Sequence, residues 1–276
     1  VEFNPNQSIV ERHARALMGL EETQARIMLK EYAKAAEQLK LQLMAVNSNT
    51  FTETRLKSTM LQIELFMQAL ESRLSSSIFE SSEFVFDQAL SDCVTEINKF
   101  EKEYAGSALI IPIDTIQDST DPRNVLINQF SSSIKSYNDS TRANIQNVMT
   151  QALIQGKTYS QVVNDIDNEI KSSFWKAHRI VRTEMHQIYN VSKMDGMTQI
   201  KEKYLPDLKK MLIHPMDSRT ANDSKTLAAK NPIVDIDKPF KYKYNGELRV
   251  FMAPPERPND RAILIPVRNE YLDGNG

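Results

Sequence analysis

Four side chains able to do chemistry recur at every fourth position: His178, Arg182, His186 and Asn190. That spacing places them on one face of a helix. Two histidines on one face raise the question of a metal. Eight residues of helix span about 12 Å, and zinc bonds of about 2 Å cannot let one ion bridge that gap. Within the same segment, Glu184 of Arg182-Thr183-Glu184 falls on the side of Ile180, Ile188 and Val191, which is apolar. A lone buried carboxylate is costly, so Glu184 needs a basic partner, for which Arg219 is a candidate. Asp217, Arg219 and Asp223 follow a strand-like segment and, with Glu184, could be read as a carboxylate metal site or as a catalytic acid with its partner. Acids capping a helix N-terminus are the simpler reading. We therefore assign no catalytic residue, no metal and no cofactor. Arg182, Thr183, Glu184, Asn190, Asp217 and Arg219 are read as a set that organises the fold. His13 and His214 have no acidic neighbour at useful spacing, and Cys93 falls on a packing seam as a small apolar residue.

A second pattern is basic. Lys201, Lys203, Lys209 and Lys210, then Lys238, Lys241 and Lys243 interleaved with Phe240, Tyr242 and Tyr244, have the composition of a surface that contacts DNA. Strand alternation explains the second group as well, with aromatics on one face and lysines on the other. Residues 171–276 hold 19 Lys/Arg and 13 Asp/Glu, a net of +6, and residues 1–170 hold 15 and 23, a net of −8. The split suggests two functional faces.

These residues must be positioned by long helices. Glycine occurs seven times in 276 residues, well below the usual ~7%. No glycines stand at the offsets of a phosphate-cradling loop. The single cysteine excludes an intramolecular disulfide framework and any CxxC site. No apolar run approaches a membrane span. Residues 8–46 read as one long helix. In the next, Leu56, Met60, Ile63, Met67, Leu70 and Leu74 are spaced 4, 3, 4, 3, 4, and the spacing resumes at Phe86, Leu90, Cys93 and Ile97. This is the seam of knobs-into-holes packing, and the serine run near 75–82 marks a skip or a bend.

We divide the chain into a long-helix adaptor region at 1–106, a linker at 107–124, a helical domain with an α+β end at 125–268, and a flexible tail at 269–276. In the third part, helices are expected before Gly156, from Thr158 or Ser160 to about 170, and from about 173 to 203. Strands are expected near 211–214, 248–252 and 262–267, with a short helix at 217–230. The fold class is mainly α: a long N-terminal helical hairpin or bundle, then a helical and small α+β C-terminal domain.

Taken together, several motifs resemble the minor head proteins of tailed phages, the Mu F-like head-morphogenesis family. Gly156 to Ser160 resembles its turn before a Val/Ile helix. Ala177 to Glu184, with Asn190, resembles its A-x-x-I-x-R-T-E helix and following Asn. Asp217 to Thr220 resembles its D-x-R-T turn, Pro239-Phe240 its PF step, and Pro254 to Ala262 its terminal P-P-x-H-P-x-C-R-C. The likeness covers about residues 140–268. Four departures stand out: the family's histidines fall at Ser224 and Arg257, and its cysteines at Asp260 and Ala262. An Arg257–Asp260 ion pair could close the end of the domain instead.

The resemblance implies a non-enzymatic virion component inside the capsid near the portal, present in multiple copies and in the host cytoplasm during assembly. Its implied partners are the portal protein, other head proteins and packaged double-stranded DNA. Two alternatives stay open: an enzyme using Glu184 and Arg219 in a toxin-like domain, and an ejected protein that contacts DNA.

Overall fold

The computed structural model describes residues 8–45, 53–116, 120–214, 220–230, 232–257 and 260–272. Four long helices dominate: α1 (Ser8–Met44), α2 (Glu53–Tyr104), α3 (Thr120–Ile154) and α4 (Tyr159–Lys203). The chain then forms β1 (Lys209–Ile213), α5 (Asn222–Lys230), β2 (Val234–Asp235), β3 (Phe240–Tyr244), β4 (Glu247–Phe251), β5 (Ile263–Val267) and α6 (Asn269–Leu272). The architecture is mainly α with a small antiparallel β part, as the glycine scarcity and the strand-like C-terminal segments predict.

Two expected interruptions are absent. The serine run does not break α2. Ser75 donates to the Glu71 carbonyl at 2.9 Å, Ser81 and Ser82 are buried, and the seam continues through Ile78 and Val85. Stepping from Leu74 to Ile78 adds a four-residue stride, which a helix absorbs as a stutter. The helices expected at 158–170 and 173–203 are one 45-residue helix, because neither glycine nor proline separates them. At the start of α4, Thr158 and Gln161 form a reciprocal capping box: the Thr158 N–H donates to Gln161 Oε1 at 2.9 Å, and the Gln161 N–H to Thr158 Oγ1 at 3.4 Å. Gly156, at φ 64°, ends α3, with the Lys157 N–H bonded back to the Ala152 carbonyl at 3.0 Å.

The chain divides into two compact units that do not follow chain order. Unit 1 comprises residues 1–21, 82–126 and 183–276, and unit 2 residues 22–81 and 127–182. Leu56 to Leu74 of the seam therefore belong to unit 2, and Phe86, Leu90 and Ile97 to unit 1. Ile63, Met67, Leu70, Leu74, Phe86 and Ile97 are buried, and Leu56, Met60 and Leu90 are half-buried. The core of unit 2 is an apolar stripe set in which Leu39, Ile63 and Met67 meet Ile145, Met149, Val162 and Ile166.

Unit 1 holds both sheets. One has the order β2-β1-β5, with β1 antiparallel to both neighbours, and β3 and β4 form a separate hairpin. All five residues of β5 are buried. In β3 the alternation is realised: Phe240 and Tyr242 are buried, while Lys241 and Lys243 are exposed. Within the expected linker, residues 108–112 form no strand. They are held extended by one amide, since Asn98 Nδ2 donates to the Ile111 carbonyl at 2.9 Å and Oδ1 accepts from the Ile111 N–H at 2.8 Å. The expected tail is docked as far as residue 272. Tyr271 is fully buried and donates to Glu101 at 2.8 Å, and Arg268 bonds Glu101 at 2.6 Å and Asp207 at 2.9 Å.

Candidate functional site

The chemistry-bearing face of α4 turns inward at its middle. Asn190 is fully buried. Its Oδ1 accepts the Leu264 N–H at 2.8 Å, and its Nδ2 donates to the His186 carbonyl at 3.0 Å and towards the Ala262 carbonyl at 3.4 Å. A side-chain amide carries a donor and an acceptor, so it satisfies backbone groups of β5 where the strand meets a helix rather than another strand. Four residues earlier, His186 completes the grip: Nδ1 faces Glu21 Oε1 at 2.8 Å and Nε2 faces the Ala262 carbonyl at 2.6 Å. Both ring nitrogens face acceptors, an arrangement that favours the doubly protonated imidazolium over either neutral tautomer. Burial opposes that charge, but the Glu21 carboxylate and the Ala262 carbonyl outweigh it and raise the His186 pKa above its ordinary value. Helix α1, helix α4 and strand β5 are thereby tied at one point.

The upper part of the same face differs. His178 is 3.2 Å from Glu22, a contact within unit 2. Arg182, Thr183 and Glu184 are half-buried, and each is engaged by neighbouring groups. Asp217 and Arg219 lie outside the described residues, so the expected pairing of Glu184 with Arg219 does as well. Asp223 does cap: its Oδ1 accepts the Ser224 N–H at 2.8 Å at the start of α5.

The closure at residues 254–262 is ionic, with different partners from those expected. Arg257 pairs with Asp223 and donates to Ser224 Oγ at 2.9 Å, so the two positions where the resembled family carries histidine are in contact here. Asp260 turns instead to backbone, accepting the Glu256 N–H at 3.1 Å and the Ala262 N–H at 3.2 Å. Arg249 bridges Glu256 at 3.2 Å and Asp223 at 3.4 Å.

One cluster has no sequence-level signal strong enough to find it. His13 on α1 sits 2.9 Å from Glu96 and 3.4 Å from Asp92 on α2. Lys193 on α4 reaches Glu96 at 2.7 Å, and Tyr189 donates to Asp92 at 2.7 Å. Lys193 and Glu96 are both fully buried. Local spacing makes His13 look isolated because its acids are about eighty residues away. The only hint is that Asp92 and Glu96 are four apart beside the seam. Cys93, between them, is fully buried, and burial raises its thiol pKa. No group of three or more His, Cys, Asp or Glu among the described residues is arranged to hold a metal ion.

The seven lysines separate. Lys210 is not on the surface: it is fully buried, donating to the Met252 carbonyl at 2.9 Å and lying 5.2 Å from the centre of the Phe240 ring. Burial lowers its pKa to about 8. Lys203 and Lys209 bond the Thr115 carbonyl and Asn269. Lys238, Lys241 and Lys243 are exposed, and Lys201 is half-exposed.

Residues 143–265 match the family described as Phage Mu protein F like protein. The chain is 31% identical over 103 residues to the minor head protein GP7 of Bacillus phage SPP1, covering 37% of this chain and 32% of that protein. It is 29% identical over 140 residues to the NAD(+)--arginine ADP-ribosyltransferase EFV of Enterococcus faecalis, covering 50% of this chain and 27% of that protein. The chain thus spans about a third or less of the length of these curated relatives. No solved structure matches it significantly. No helix among the described residues is long and apolar enough to cross a membrane.

Proposed function

We propose that the chain is a structural, non-enzymatic head protein of a tailed phage. It resides in the virion, inside the capsid at the portal vertex, and assists head morphogenesis and genome packaging, retention or ejection. The observation that carries this reading is the use of the family motif. Asn190, its buried member, and His186 one turn before it spend their hydrogen-bonding capacity on the β5 end of the domain and on α1. That use needs no substrate and fits a module whose task is to hold its shape in an assembly. Portal protein and other head proteins are the partners, with several copies around the portal. The exposed Lys238, Lys241 and Lys243 suit contact with packaged double-stranded DNA. Mass spectrometry and imaging of purified virions test the assignment: the chain is expected in mature heads at the portal vertex, and its absence there overturns the proposal. For the DNA contact, affinity should fall steeply as salt rises, and binding unchanged by salt rejects it.

The similarity to an ADP-ribosyltransferase favours a second reading, an enzyme with Glu184 and Arg219 at its centre. Assaying NAD(+) turnover with the parent chain and with Glu184→Gln separates the two. Turnover that vanishes in the variant supports the enzyme; no turnover in the parent leaves the structural reading.

A further inference from the structure

We propose that a half-enclosed cavity in unit 1 is a binding site for a small aromatic compound bearing a hydroxyl group, of the phenol class. The cavity has a volume of about 360 Å³. That lies at the lower end of the roughly 300–1,000 Å³ of small-molecule pockets, and an apolar cavity of about 150 Å³ already holds benzene. Ala14 and Met18 of α1 form one wall, and Ile213 and Ile263 of the sheet form another.

Three lining groups favour a flat π system over an aliphatic chain. The Met18 thioether packs well against ring edges. The Arg261 guanidinium is a cation, and so is His186 in the charged form that its partners favour; cations attract a ring face. The hydroxyl requirement comes from His214, which also lines the cavity. His214 is 6% exposed, and its Nε2 is buried without a hydrogen-bond partner among the described residues. Buried polar atoms normally find a partner. Burial lowers the His214 pKa, so the ring is neutral there and offers one donor and one acceptor nitrogen. A hydroxyl can donate or accept, and so satisfies either tautomer, which a plain hydrocarbon cannot. The site shares His186 with the grip on β5 but uses none of Arg182, Thr183, Glu184 or Asn190, and its test does not depend on the head-protein reading.

The test is titration of the full chain with p-cresol and with toluene, followed by ligand-observed NMR. p-Cresol is expected to bind roughly five-fold more tightly than toluene, the worth of one buried hydrogen bond. Met18→Trp and Ala14→Leu, two independent ways to fill the cavity, should each abolish binding of both probes while the circular dichroism spectrum stays that of the parent. His214→Phe should reduce p-cresol to the toluene level and leave toluene unchanged. Equal affinity for the two probes in the parent overturns the hydroxyl assignment. No binding of either probe at millimolar concentration, or binding that survives both filling variants, overturns the site.

Discussion

The two units bury different things. Among the described residues, unit 2 buries an apolar stripe and neutral polar side chains only: Thr59, Ser81, Asn138, Thr141 and Ser173. Its ion pairs, such as Lys40–Asp167 at 3.0 Å and Lys171–Asp167 at 2.8 Å, involve partly exposed lysines. Unit 1 buries charge. Glu21, Asp92, Glu96, Glu101, His186, Lys193 and Lys210 are all in its interior. Helices held only by a repeating apolar stripe can slip by a turn at modest cost, whereas a buried ion pair has one satisfying partner. As a hypothesis for this protein, the buried charges of unit 1 select one arrangement of α1, α2, α4 and β5 at the expense of stability.

The comparison is broken most directly at Lys193. Lys193→Met should cost about 3–5 kcal/mol in urea unfolding, because Glu96 is left charged and buried. Adding Glu96→Leu should recover most of that loss. If the single variant unfolds like the parent, unit 1 does not depend on its charges. Next in size is Asn190→Leu, which strips the Leu264 N–H of its partner and should cost about 1–3 kcal/mol; Asn190→Asp, which keeps the acceptor, should lose less.

Dependence on pH sharpens the same contrast, with two signs inside one unit. The folded-state pKa of His186 is raised, so its contribution is fully present below about 6.5, the ordinary histidine value, and is lost as pH rises through the folded pKa. Lys210 has the opposite sign. Its pKa falls to about 8, so its charge destabilises the fold below that pH. The penalty is relieved as pH rises from about 8 towards the ordinary lysine value near 10.4. Thermal melts of the parent against His186→Gln should converge as pH rises above neutrality, while those of the parent against Lys210→Met should converge only in alkali. Parallel curves for either pair reject that assignment. The smallest effect belongs to unit 2: Lys171→Ala should change stability by no more than about 0.5 kcal/mol, as expected of an exposed pair, and a larger loss would erase the contrast.

The same division separates what was legible in the chain from what was not. The stripe Ile63, Met67, Leu70, Leu74 is periodic, and its burial follows from the period. Gly156 and Thr158 announce the turn between α3 and α4, since a positive φ and a capping box are local events. The strands of residues 209–267 show through their alternation and prolines. His186 was visible as part of a four-spaced polar face, although its partner Glu21 was not. The partners of His13 have no local sign, because only a fold that brings α1 onto α2 supplies its acids. The burial of Lys210 has none either, because a single lysine in a strand gives no sign of which face it occupies.

The sequence by itself determined the elements and the family resemblance: caps, strand alternation and motif order are all encoded within a few residues of each other. Tertiary structure alone decided which charges are buried and with whom, including Lys193 with Glu96, Glu21 with His186, and Arg257 with Asp223. The physical reason is range. Backbone preference and periodicity act over a turn or two, while the partner of a buried charge lies some thirty to 170 residues away in the chain and is chosen only when the helices pack.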